Sequence, residues 1–235
     1  MENSIIVPAY NEEKRITNFL DDLLKFSESN LKNYEIIFVD DGSTDNTLKV
    51  IKNKIKNKEH IKIISYAKNQ GKGEAVRRGV LAANGEKILF IDADGSIHPN
   101  QIPILLEKLG NYDVVVGDRS SKESKIKITF LRKATGVLFN IYVKRLFHTE
   151  TRDNLCGFKG FKKKVAKDLF SDLISKRWLF DVELFYKIKK RKYSLYKLPF
   201  EWEYRGESKI GIFEPFKMLF QLILLRLRLN KNVKK

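Results

Sequence analysis

The feature that most constrains this chain is the stretch at 88–96, Ile-Leu-Phe-Ile-Asp-Ala-Asp-Gly-Ser. Four apolar residues, Ile88, Leu89, Phe90 and Ile91, run straight into Asp92, Ala93, Asp94 and Gly95. A short apolar run bounded by a turn signal reads as a strand buried on both faces, the kind found in parallel sheets. Two carboxylates one residue apart at the end of such a strand repel each other and are drawn away from water. A divalent cation removes that repulsion. Mg²⁺ or Mn²⁺ is held by one or two carboxylates, with substrate phosphates completing the shell. Taken alone, the pair also reads as a solvated turn opening before Pro99.

The order of elements around this stretch bears on the choice. Residues 4–7 form a buried strand stopped by Pro8, and a helix follows with Ile16, Phe19, Leu20, Leu23 and Leu24 on one face. A second strand at 34–39 ends in Asp40 and Asp41. Ser43 or Thr44 is placed to cap the next helix. A third strand at 61–64 is followed by a glycine-rich turn, residues 69–73, and a helix over 74–83. Strands alternating with helices on short connections predict an α/β fold with a mostly parallel, Rossmann-like sheet and flanking helices. Ligands bind such sheets beyond the carboxyl ends of the strands. Pro8, Ala9, Tyr10 and Glu12, then Val39, Asp40 and Asp41, then Asp92, Ala93 and Asp94 all fall there, and are expected to meet in one crevice.

The second half is less regular. Helices are expected at 101–109, 130–147, 163–173, 178–190 and 213–229, and strands at 113–119 and 156–161. Residues 193–202 read as extended, and 120–127 as a polar, mobile stretch. The helix at 213–229 is apolar nearly all round. That reading divides the chain into a main domain at 1–211 and an amphipathic, basic tail at 212–235.

Composition narrows the partners. The chain has 235 residues with 43% hydrophobic content, enough for one substantial core. A net charge of +17 predicts an anionic partner: nucleic acid, a membrane surface or a phosphorylated substrate. Nucleic acid is disfavoured, because the acidic clusters at the strand ends would repel it. The lone cysteine, Cys156, has no partner for an internal disulfide and reads as a small buried residue in a reducing compartment. Residues 4–7 are too short an apolar run for a signal peptide, and no stretch reaches the about 20 apolar residues that span a bilayer.

Four motifs occur in order and at a characteristic spacing: 6–13 (Ile-Val-Pro-Ala-Tyr-Asn-Glu-Glu), 39–45 (Val-Asp-Asp-Gly-Ser-Thr-Asp), 69–73 (Asn-Gln-Gly-Lys-Gly) and 92–95 (Asp-Ala-Asp-Gly). Together they resemble the inverting family 2 glycosyltransferases of the GT-A fold. Three later motifs, 156–159 (Cys-Gly-Phe-Lys), 177–183 (Arg-Trp-Leu-Phe-Asp-Val-Glu) and 205–209 (Arg-Gly-Glu-Ser-Lys), resemble the dolichyl-phosphate hexose synthases. The first two of these stand nearer to the glucosyltransferase branch. The mannose branch typically continues the acidic motif with Leu-Gln, and here Gly95 and Ser96 stand instead.

The resemblance implies transfer from a nucleotide sugar, UDP-glucose first, to a polyprenyl or dolichyl phosphate, giving a lipid-linked sugar donor for protein glycosylation. GDP-mannose is the alternative donor. It implies Mg²⁺ or Mn²⁺ held by Asp92 and Asp94, with Ser96 or a water completing the shell. Pro8, Ala9, Tyr10, Glu12, Val39, Asp40, Asp41, Ala93 and Lys72 would contact the donor, although residues 69–73 also read as a simple turn into a helix. Arg119, Arg132, Arg205 and Lys209 would bind the acceptor phosphate, against the plain alternative of a solvated basic face. A phosphate monoester is already a nucleophile, so no base is needed. A sugar hydroxyl as acceptor would need one, and Asp181 or Glu183 would serve. A polyprenyl acceptor places the enzyme at the cytoplasmic face of a membrane, peripherally, with the helices at 130–147 and 213–229 against anionic lipid. The alternative for both helices is packing on protein.

Overall fold

A computed structural model of the protein describes residues 1–56, 58–127, 130–149, 151, 153–203 and 214–231, and for 126, 127, 130–138, 214–219 and 231 the backbone alone. The first half alternates as expected: β1 (Asn3–Ala9), α1 (Glu13–Asn30), β2 (Tyr34–Asp40), α2 (Thr47–Lys54), β3 (Ile61–Ser65), α3 (Lys72–Ala82) and β4 (Lys87–Ile91). A 3₁₀ turn (Pro99–Gln101) leads into α4 (Ile102–Lys108) and β5 (Val114–Gly117). Then come β6 (Lys125–Lys127), α5 (Phe130–Phe147), β7 (Phe158–Lys162), α6 (Lys163–Ser171), α7 (Phe180–Lys190), β8 (Leu195–Leu198), β9 (Glu201–Glu203) and α8 (Glu214–Lys231).

Seven strands form one sheet in the order β3-β2-β1-β4-β7-β5-β8. The pairings β1–β2, β1–β4, β2–β3 and β5–β8 are parallel, whereas β7 runs antiparallel to both β4 and β5. The reversed strand matters for the site. Phe158 pairs with Ile91, so the start of β7 lies beside the carboxyl end of β4.

The buried strands sort their side chains with period two. Ile5, Val7, Ile36, Phe38, Leu89, Ile91 and Val115 face a core shared with Ile16, Phe19, Leu20 and Leu23 of α1 and Leu105 of α4. Ile6, Ile37, Val39, Ile88, Phe90, Val114 and Val116 face the opposite core, built with Val76 and Val80 of α3, Leu169 and Phe170 of α6, and Phe180 and Leu184 of α7. Each fully buried side chain of this size contributes roughly 1.5–3 kcal/mol. The two-sided burial accounts for the apolar runs that identified the strands.

A third cluster joins α5, α7 and α8 through Val143, Phe147, Leu179, Val182, Leu222, Leu225 and Leu229. The helix read as apolar all round is thus covered on one side by protein. Its other side leaves Phe220, Ile223, Leu224 and Leu227 exposed.

Three local expectations change. The stretch at 120–127 is tied down: Asp118 accepts from the Ser120 amide at 2.9 Å, Ser124 Oγ donates to the Asp118 carbonyl at 2.6 Å, and β6 pairs with β9. Trp178 precedes α7 rather than opening it. Ser43 and Thr44 do not cap α2. They bond to Asn11 instead, and Asp45 accepts from the Thr47 amide at 2.9 Å.

Candidate active site

The carboxyl ends of β1, β2, β4 and β5 and the amino end of β7 meet along one edge of the sheet, and the loops there carry the predicted residues. Asp92 follows β4 directly, and its amide donates to the Gly157 carbonyl at 3.1 Å. Gly157 has no room for a side chain, since a Cβ there would stand 1.9 Å from Asp92 Oδ2. Gly95 turns the chain at φ +70°, a conformation glycine adopts without strain. That turn lets the Ser96 amide donate to Asp94 Oδ1 at 2.9 Å.

The site is organised by three ion pairs. Lys72 Nζ lies 2.6 Å from Asp92 Oδ1 and 2.8 Å from its Oδ2, and sits over the Trp178 ring at 5.5 Å. Lys159 Nζ, fully buried, lies 2.7 Å from Asp181 Oδ1 and donates to the Cys156 carbonyl at 2.5 Å. Arg119 grips buried Asp153 with two side-chain bonds, Nε at 2.8 Å and Nη2 at 2.7 Å, and with its own amide at 3.0 Å.

The electrostatics follow from burial and these contacts. Burial and then the charge of Asp92 push the Asp94 carboxyl above its ordinary range, against the Ser96 amide and Lys72. Burial opposes the charge on Lys72, but Asp92, Asp181 and Asp94 outweigh it and hold the ammonium above its usual value. Burial pushes Asp181 up against the pull of Lys159 and Lys72. Burial also raises the Cys156 thiol to about 12, so it is no nucleophile.

The residues fit a divalent cation of the Mg²⁺ type. Asp92 and Asp94 supply two carboxylates, Asp94 is raised partly by its neighbour's charge, and the buried Ser96 hydroxyl stands beside Asp94. Among the described residues no three His, Cys, Asp or Glu side chains cluster in a way that could hold a metal ion.

A family model described as glycosyl transferase family 2 matches residues 4–170. Dolichyl-phosphate beta-glucosyltransferase of Dictyostelium discoideum is 36% identical over 234 residues, covering 93% of this chain and 71% of that protein. The Homo sapiens protein of the same name is 34% identical over 242 residues, covering 96% of this chain and 75% of the relative. Glucosyl-3-phosphoglycerate synthase from Mycobacterium tuberculosis, solved with Mn²⁺, UDP-glucose and phosphoglyceric acid, superposes with a TM-score of 0.71 at 20% identity. That match covers 97% of this chain and 79% of the solved one, and bears on the fold alone.

This chain belongs to glycosyl transferase family 2.

In this glycosyltransferase the predicted donor residues divide by what their side chains do. Ala9, Ala93 and Val39 are buried in the two sheet cores, so they can offer a ligand only backbone groups. Pro8 is buried and Tyr10 half-buried. Glu12 pairs with Arg15, and its amide donates to Thr47 Oγ1 at 2.7 Å. Asp40 accepts from the Ser43 amide at 3.1 Å and Ser65 Oγ at 2.9 Å. Asp41 accepts from Asn69 Nδ2 and the Gln70 and Gly71 amides at 2.7–2.9 Å, which fixes the glycine-rich turn. Gly71 (φ +103°) and Gly73 are glycines because the 175–177 loop crosses them: Cβ atoms there would meet the Lys176 and Ser175 carbonyls at 2.6 Å. The turn is therefore a packing device, and it also aims Lys72 at Asp92.

Glu183 accepts from the Ile174 and Ser175 amides at 2.9 and 2.8 Å and so anchors that loop. Arg132 lies in the part of α5, 130–138, for which the backbone alone is described, and Arg205 and Lys209 lie outside the described residues.

Sequence reasoning assigned no role to Lys159 or Asp153. Lys159 had a signal: a lysine within the apolar strand Phe-Lys-Gly-Phe needs a buried counter-charge. Asp153 had none, because its partner Arg119 lies 34 residues away in the chain.

Proposed function

We propose that this family 2 glycosyltransferase moves glucose from UDP-glucose to a dolichyl or other polyprenyl phosphate with inversion. An acceptor phosphate oxygen attacks the anomeric carbon from the face opposite the nucleotide. The bond from that carbon to the diphosphate oxygen breaks, and UDP leaves with the electron pair. The observation that carries this reading is the buried Lys159–Asp181 pair. Asp181, the residue placed to act as base on a sugar hydroxyl, is held by a cation, and an acceptor that is already an anion needs no base. The names of the relatives, dolichyl-phosphate beta-glucosyltransferase, support the same acceptor and sugar.

Asp92, Asp94 and Ser96 would hold Mg²⁺ or Mn²⁺, which when bound offsets charge building on the leaving diphosphate. Lys72 would add an ammonium to the diphosphate. Asp153 engages the Nε–Nη2 edge of Arg119, and the Nη1 end would go to the acceptor phosphate beside Arg132, Arg205 and Lys209. Tyr10, Glu12, Asp40 and Asp41 would frame the nucleoside, with Pro8, Ala9, Val39 and Ala93 shaping the backbone around it.

Residues 1–211 would form the catalytic unit and 212–235 a membrane-associating tail at the cytoplasmic face. No helix among the described residues is long and apolar enough to cross a membrane. The exposed row Phe220, Ile223, Leu224 and Leu227 beside Arg228 is suited to the headgroup plane.

The test is a donor-by-acceptor assay with Mg²⁺ or Mn²⁺, with lipid products read by mass. UDP-glucose should yield hexosyl-phosphoryl-polyprenol, both from a short-chain acceptor in solution and from dolichyl phosphate in anionic vesicles. Phe220→Glu with Leu227→Glu should lower only the vesicle reaction. Transfer from GDP-mannose alone would replace the donor. Transfer only to a sugar hydroxyl, abolished by Asp181→Asn, would overturn the acceptor.

A further inference from the structure

Lys72 grips both oxygens of a carboxylate that the metal would need. Its backbone is not free to withdraw. Lys72 is the first residue of α3, Gly71 before it is pressed against the 175–177 loop, and the Glu74 amide donates to the Lys176 carbonyl at 3.0 Å. Only the side chain can move, and the Trp178 ring bounds its path on one side.

Local charge explains why this contact matters. Asp92, Asp94 and Lys72 sum to a single negative charge, and Asp181 beside them is balanced by Lys159. Affinity for a hard divalent cation depends on the charge its ligands supply, and here one of two carboxylates is already neutralised. A nucleoside diphosphate changes both terms. It brings anionic oxygens to the cation, and it offers the ammonium another partner. A lysine, a compact charge on a flexible four-carbon stem, can make that exchange where a rigid guanidinium could not.

We propose that Lys72 competes with the metal for Asp92 and releases it only when a nucleoside diphosphate is present. Metal and nucleotide then bind as a coupled pair. The inference rests on the metal site proposed above. By linkage, the factor by which UDP tightens the metal is the factor by which the metal tightens UDP. The exchange keeps free cation from occupying the acidic pair without donor.

The experiment is a titration of the full chain with Mn²⁺, free Mn²⁺ being read by electron paramagnetic resonance, with and without UDP. Wild type should bind Mn²⁺ weakly alone and far more tightly with UDP. Lys72→Met should bind Mn²⁺ alone about tenfold more tightly than wild type, a modest fraction of what a unit charge a few ångströms away exerts at an effective dielectric of about 20. The enhancement by UDP should shrink by a similar factor. Structural damage would weaken binding, the opposite direction. Equal or weaker Mn²⁺ binding by Lys72→Met without UDP overturns the inference while leaving the metal site standing. If Asp92→Asn binds Mn²⁺ as well as wild type in the presence of UDP, the metal site itself is wrong and the inference goes with it.

Discussion

Replacing Gly157 by alanine probes the placement of Asp92 without touching any polar group. A Cβ at 157 would stand 1.9 Å from Asp92 Oδ2 and 2.2 Å from its Cγ. Ordinary contact begins near 3.4 Å, so the carboxylate must retreat by 3.4 − 1.9, about 1.5 Å. The backbone cannot supply that movement, because the Asp92 amide is bonded to the Gly157 carbonyl at 3.1 Å. The side chain must rotate instead, and it is 28% exposed, so it has somewhere to go. The stability cost therefore falls at the low end of the about 1–3 kcal/mol typical of overpacking. Catalysis is less forgiving, since misplacing a positioned group by about 1 Å can cost about 10²-fold in rate. Gly157→Ala should thus lose roughly two orders of magnitude in kcat/KM for sugar transfer and bind Mn²⁺ more weakly, while melting within a few degrees of wild type. Gly160→Ala, three residues on and within β7, is the matched control. Its Cβ would meet Leu105 Cδ2 at 2.3 Å and Leu109 Cδ1 at 3.0 Å, both deep in the core, so it should lose stability and keep its metal affinity. Wild-type transfer and Mn²⁺ affinity in Gly157→Ala would show that Asp92 does not sit at the reacting centre.

Two further outcomes follow from the buried pairs. Lys159→Met strands Asp181 as an uncompensated buried charge and should cost about 3–5 kcal/mol in urea denaturation. Adding Asp181→Leu should recover most of that, and a double variant no more stable than the single one would refute the pairing. For Asp153, burial pushes the carboxyl up, but the charge and hydrogen bonds of Arg119 outweigh it and hold the native pKa below the ordinary value. The unfolded chain then protonates first, near its ordinary value of about 3.9. The stabilisation is whole above that pH and is lost as pH falls through the depressed native value. Asp153→Asn should lower Tm at pH 7, with the gap to wild type narrowing below about pH 4. A gap as wide at pH 3 would refute the linkage.

Which parts were legible in the sequence follows from the range of the forces involved. Strands β1, β2 and β4 are buried on both faces, so each carries an unbroken apolar run (5–7, 36–39 and 88–91) that could be read directly. The acidic ends of β2 and β4 were equally legible, because burial beside charge leaves a local signature. The direction of β7 was not. A strand of five residues carries no mark of its polarity, and the reversal depends on pairing with β4 and β5 at once. Glycines 71, 73 and 157 stood in quoted motifs, but their reason is the approach of segments about 65 to 105 residues away in the chain, which no local pattern records. The apolar face of α8 was visible, and its division between α5 and α7 on one side and an exposed row on the other was not.

The three ion pairs also change what the strong positive charge means at the site. Lys72, Lys159 and Arg119 come from three separate segments, and each is neutralised by a carboxylate within 2.8 Å. Their fields overlap: Asp92 acts on Arg119 and on Asp181, and Lys159 acts on Asp153. A diphosphate at Lys72 would therefore compete with Asp92, whereas on the proposal above Arg119 would keep Asp153 and offer its Nη1 end. A neutral ligand has no means to compete for a cation, and a dianion does. If Lys72 binds the donor as proposed, selectivity for a diphosphate would come from drawing that ammonium away from Asp92. On this proposal the site would discriminate by charge twice, for the donor diphosphate through Lys72 and for the acceptor phosphate through Arg119.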